Sequence, residues 1–142
     1  IWAILAERKH EVLILISTSY LEEVAACDQL VYLDEGRVVA VGPPDELCAG
    51  VPLELYRAWG DDPRAIARVV RDLPYVDGAR ATGRFARIEV RRDASPGAER
   101  VLRDLGALRA AGVRLAEALP LDVESMLLAL SRAGAAHGGR AA

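Results

Sequence analysis

The sequence predicts a mixed α/β chain: a fragment of a helix-flanked parallel sheet, then a small ferredoxin-like βαββαβ domain of the α+β kind. Three observations carry this. Residues 12–17 (VLILIS) form an unbroken apolar run, as in a strand covered on both faces. Strand-like and helix-like patterns then alternate in the order βαββαβ over the second half. Charge divides the chain near residue 50, with net −6 before it and +3 after it, at the linker-like stretch Ala49-Gly50-Val51-Pro52. We therefore expect one unit over residues 1–50, a second over 51–132, and a small, disordered tail over 133–142.

In the first unit, Ile1, Ile4 and Leu5 fall at helical spacing and end in a charged turn. The chain thus opens inside a helical pattern, as a piece of something longer would. The apolar run follows, and residues 20–27 read as one short helix. Residues 30–33 and 37–42 read as a hairpin around Asp34-Glu35-Gly36. Pro43 to Leu47 begins a helical turn. The apolar run needs strands on either side of it, and the first unit contains none that could serve.

The second unit is more self-sufficient. Residues 53–59 are a candidate strand. Asp62-Pro63 starts a helix, the aspartate capping free N–H groups and the proline in the first helical position. Ile66, Val69, Val70 and Leu73 then share a face. Residues 75–81 and 85–91 suit a hairpin around Thr82-Gly83. In its second strand Ala86, Ile88 and Val90 alternate with Arg87, Glu89 and Arg91, so the arginines Arg84, Arg87, Arg91 and Arg92 are expected on the solvent side. Ser95-Pro96 starts another helix, carrying Val101, Leu105 and Leu108 inward with Gly112 just past its end. Residues 113–119 are a fourth strand, and Asp122 caps a last helix with Val123, Met126, Leu127 and Leu130 on one stripe. The two helices share text, ARVVRDL against ERVLRDL, as a repeated βαβ half would; in a chain rich in Arg and Leu, chance gives the same similarity.

Composition narrows the function. The chain has 142 residues, 52% apolar and 27% charged, a globular balance. Its net charge of −3 and seventeen scattered arginines argue against a nucleic-acid partner. The single lysine, Lys9, has no glycine before it, so no P-loop is present to cradle phosphates. Cys27, Cys48, His10 and His137 are too dispersed for a zinc site, so no metal is expected, and the cysteines read as thiols in a reducing cytoplasm. No apolar run approaches a membrane span.

The most specific text is residues 13–47. Ser17, Thr18, Tyr20, Glu22, Glu23, Cys27, Asp28, Leu33, Gly36, Gly42, Pro44, Glu46 and Leu47 fall in register on one pattern. In it a buried strand ends in S-T-H-Y/D, a helix carries an acidic pair and C/A-D, and a hairpin with L-D/E-x-G precedes a helical P-x-E-L. This resembles the C-terminal part of the ATP-binding subunit of ABC transporters. The resemblance covers the first third of the chain strongly. The remainder is similar, more weakly, to the accessory C-terminal domain of some exporter-type subunits, including the closing stretch Pro120 to Leu130.

The resemblance implies that residues 1–50 are the end of a P-loop NTPase-like nucleotide-binding domain. It implies ATP and Mg²⁺ in the complete subunit, a second ATP-binding subunit and a membrane permease as partners, and a place at the cytoplasmic face of the membrane. The chain departs from the pattern at the switch histidine, whose position holds Ser19. Ser19 either donates one hydrogen bond to a γ-phosphate in a degenerate site, or merely helps start the next helix. Residues 30–35 mimic a Walker B motif, but the turn at Gly36 and the missing P-loop favour a plain hairpin. By this reading the chain alone neither binds nor hydrolyses ATP. An alternative is a stand-alone regulatory module that forms a homodimer through residues 51–132, although no convergent polar pocket is evident there. A third is a truncated relic with an aggregation-prone strand edge.

Overall fold

In the computed structural model residues 2–8 and 10–138 are described. Ile1, Lys9 and residues 139–142 lie outside them. Helix α1 (Trp2–Arg8) carries Ile4 and Leu5. Residues 13–18 have no regular secondary structure and join neither sheet, so the strand expected over 12–17 does not form. The physical reason is the one the sequence raises: a strand needs neighbours for its backbone groups, and none lies alongside. Leu13 is 97% and Leu15 93% exposed, whereas Ile14 and Ile16 are half-buried.

Helix α2 (Leu21–Val24) is a single turn, shorter than the helix expected over 20–27. Strands β1 (Leu30–Asp34) and β2 (Arg37–Gly42) pair antiparallel, with a bulge after Tyr32. Helix α3 (Pro44–Gly50) starts on proline at its first position and places Asp45 and Glu46 in its first turn.

The second half is built on a four-stranded antiparallel sheet. Its strands are β3 (Leu53–Gly60), β4 (Val76–Thr82), β5 (Phe85–Arg91) and β6 (Val113–Leu119), in the order β4-β5-β3-β6. Helix α4 (Pro63–Val70) joins β3 to β4, and α5 (Ala98–Ala107), continued by a 3₁₀ turn over Leu108–Ala111, joins β5 to β6. Asp62 caps α4 as expected, its Oδ1 accepting the Arg64 and Ala65 amides at 2.9 and 3.1 Å. Both helices pack on one face of the sheet. Ile66 and Val70 of α4, Val101 and Leu105 of α5, and Tyr56, Ala58, Ala86, Ile88 and Val90 of the strands make one buried cluster.

The opposite face is covered by α6 (Val123–Gly138). Val123, Met126 and Leu127 meet Leu53, Val51, Cys48 and Val24 in a second core, which ties α2 and α3 to the sheet. Tyr32 Oη and Ser131 Oγ share a 2.6 Å hydrogen bond across the same contact. The helix runs on through 133–138, into the stretch expected to be a disordered tail.

Candidate functional site

Within the segment that carries the resemblance, residues 17–20 follow the apolar run. Ser17, Ser19 and Tyr20 are exposed and Thr18 is half-buried. The Tyr20 amide donates to Thr18 Oγ1 at 2.9 Å, a local turn of the kind short hydroxyl side chains favour. Tyr20 itself holds the cap position of α2, and no side chain caps that helix. Ser19 therefore does not start the helix; its hydroxyl stands exposed at the bend before it. Glu22 and Glu23 occupy the first turn of α2, where the helix dipole favours negative charge.

The Walker B look-alike is a hairpin turn. Asp34 pairs with Arg37, and the two residues between them, Glu35 and Gly36, have φ values of 48° and 76°. Positive φ at both central positions is the two-residue turn whose twist suits antiparallel strands. The nucleotide implied by the resemblance finds no cradle among these groups. The Thr18 hydroxyl is engaged by a backbone amide, Ser19 offers one exposed oxygen, and no lysine occurs among the described residues. These residues by themselves do not fit ATP and Mg²⁺.

The largest departure from expectation lies under α6. Arg87, expected on the solvent side of β5, is buried at 6% exposure, and Glu89 on the same strand at 2%. Helix α6 crosses that face and, with Asp122 just before it and Arg80 of β4, supplies their partners. Arg87 donates to Asp122 Oδ1 and, at 2.7 Å, to Ser125 Oγ. Glu89 takes Arg80 at 2.9 Å, Arg132 at 3.0 Å and the Ser125 hydroxyl at 3.2 Å. Arg80 reaches on to Glu124 at 2.9 Å. Among the described residues no buried side-chain polar atom lacks a partner, so the network is complete as built.

The same contacts set the electrostatics. Burial alone would push the Asp122 carboxyl up; the hydrogen bonds from Arg87 and the Ser125 amide, with the Arg87 and Arg80 charges, outweigh it and hold it below the usual carboxylate range. Burial, with the Asp122 and Asp45 charges nearby, pushes the Cys48 thiol up. Burial first, then the hydrogen bond to Asp104, pushes the Tyr75 phenol up to about 12. Cys27 and Cys48 are both free thiols, Cys48 buried and Cys27 half-buried.

A second group missed by sequence reading is arginine. The arginines do not all scatter: Arg64, Arg68 and Arg71 of the α4 region come together with Arg80 of β4 around one groove. Their i, i+4, i+7 spacing was the available signal. No helix among the described residues is long and apolar enough to cross a membrane. Comparison with family models, curated proteins and solved structures finds no match to this chain.

Proposed function

We propose that the chain is the C-terminal part of an ABC transporter ATP-binding subunit, coupling ATP hydrolysis to transport of the export type. Residues 1–50 complete a P-loop NTPase-like sheet, and residues 51–132 form a ferredoxin-like accessory domain. The observation that carries this reading is the uncovered run at 13–16. Its composition suits burial on both faces, yet Leu13 and Leu15 lie almost wholly in solvent and the backbone has no ladder. Strands from the rest of a nucleotide-binding domain would supply both. The order β4-β5-β3-β6, with the β3-α4-β4-β5-α5-β6 connection, supports the ferredoxin-like assignment.

In the complete subunit ATP and Mg²⁺ supply the phosphoryl chemistry, and a second subunit and a permease at the inner face of the membrane are its partners. Ser19 then stands where the family places a histidine. A serine hydroxyl donates one hydrogen bond and carries no positive charge, so this site is degenerate. Extending the reading frame upstream tests the assignment: a P-loop, a signature motif and a true Walker B are expected, and a start codon immediately before Ile1 refutes it. ATP turnover by the complete protein tests Ser19. Slow turnover that rises on Ser19→His is expected; full transporter-like rates with Ser19 intact refute degeneracy.

A further inference from the structure

The groove between α4 and β4 has a volume of about 500 Å³ and is lined by Arg64, Arg68, Arg71 and Arg80 with Asp62. Two of these arginines are held in place. Arg71 donates from Nε, at 3.0 Å, and from a terminal nitrogen to the same Ala79 carbonyl oxygen. Three of its five N–H donors remain uncommitted. Arg80 is fixed by Glu89 and Glu124. Arg64 and Arg68 meet no carboxylate among the described residues, and Asp62 Oδ1 is spent on the Arg64 and Ala65 amides.

With Arg80 balanced by its own carboxylates, three guanidinium groups face one aspartate, a local charge of +2. Concave clusters of one sign concentrate counter-charge, and planar guanidinium forks match the paired oxygens of a phosphoryl group. The chain as a whole carries −3, which repels a long polyanion such as a duplex. A small anion sees little beyond the groove, because charges farther than roughly 8–10 Å are screened at physiological salt. The volume is also of small-molecule size.

We propose that this groove binds a phosphoryl group, of a free small anion or of a lipid headgroup, held by Arg64, Arg68 and Arg71. The site lies wholly within residues 51–132 and does not depend on the transporter reading. Calorimetric titration of the 142-residue chain with inorganic pyrophosphate tests it, alongside co-sedimentation with phosphatidylglycerol vesicles. The expected result is pyrophosphate binding that weakens at least tenfold in the double variant Arg64→Gln, Arg68→Gln and is unchanged in Arg37→Gln, a control on the distant hairpin. Both groove positions are exposed, and circular dichroism checks that the variants keep their fold. Vesicle binding that needs the same two arginines, without pyrophosphate binding, assigns the phosphoryl group to a lipid headgroup. Binding of neither probe, or equal binding by the double variant, overturns the proposal.

Discussion

Gly60 closes β3 at the point where the strand slips register against β6, and the backbone of Gly112 passes directly over it. A Cβ placed on Gly60 would lie 2.0 Å from the Gly112 carbonyl oxygen, 2.8 Å from its carbon and 2.7 Å from Ile66 Cδ1. Ordinary contact begins near 3.4 Å, so the two backbones would have to part by more than an ångström. Gly112 resists: its φ of 83° is fixed by a turn in which its amide bonds the Arg109 carbonyl at 2.9 Å. Ile66 is fully buried and has no space to yield. Overpacking costs about 1–3 kcal/mol, and losing the Gly60–Val113 pairing adds about 1, so Gly60→Ala should destabilise the chain by roughly 2–4 kcal/mol. At about 3 °C per kcal/mol for a chain of this size, the midpoint falls by roughly 6–12 °C. Two other glycines calibrate the reasoning, because neither would bring a Cβ within 4 Å of anything. Gly36→Ala meets only the left-handed backbone, φ 76°, and should cost about 1 kcal/mol. Gly106→Ala, on the exposed side of α5, should stabilise by about 0.5–1 kcal/mol. Urea and thermal unfolding followed by circular dichroism read all three. A Gly60→Ala variant within about 1 kcal/mol of the parent chain would refute the close approach of β3 and the Gly112 turn.

The other expectations rest on the buried polar face and on ionisation. Arg87→Met strands Asp122 and Ser125 and should cost about 3–5 kcal/mol in urea unfolding, whereas Arg37→Met in the exposed hairpin turn should stay within about 0.5 kcal/mol. Because the folded-state pKa of Asp122 is depressed, its contribution is present above the unfolded value of roughly 3.9 and is lost as pH falls through the lower folded value. Asp122→Asn should therefore flatten the acid limb of a stability–pH curve. Tyr75 and Tyr56 are both raised, by burial first and then by hydrogen bonds to Asp104 and Glu54. Their contribution is present below the unfolded value of roughly 10 and lost as pH rises through the folded values. Tyr75→Phe should remove a late step from a tyrosinate absorbance titration. A thiol reagent should modify half-buried Cys27 well before buried Cys48, and mass spectrometry of the partly labelled chain would identify the order.

What could be read from sequence was local. Strands β5 and β6 fall on the residues expected, because alternation and turn residues are written in the strands themselves. The Asp62-Pro63 start of α4 was legible for the same reason: cap and first turn are neighbours in the chain. What could not be read was what covers a face. Period two shows that Arg87 and Glu89 share a side of β5, but their partners Asp122 and Ser125 come from some 35 residues away, so the polar stripe passed for solvent. The groove was hidden likewise: the arginines read as scattered, because Arg80 of β4 is set beside Arg64, Arg68 and Arg71 only by the fold.

The run at 13–16 is the same problem with the sign reversed. Its composition calls for cover on both sides, and the chain offers partial cover to Ile14 and Ile16 alone. Burying a leucine side chain is worth about 1.5–3 kcal/mol, so Leu13 and Leu15 together hold roughly 3–6 kcal/mol of burial that this chain leaves unrealised. That is a substantial part of the net stability of a domain, typically about 5–15 kcal/mol. Free energy of this size, attached to a segment that joins no ladder, is a driving force for strand docking. It is also why the segment, rather than Ser19 taken alone, bears the weight of the functional reading.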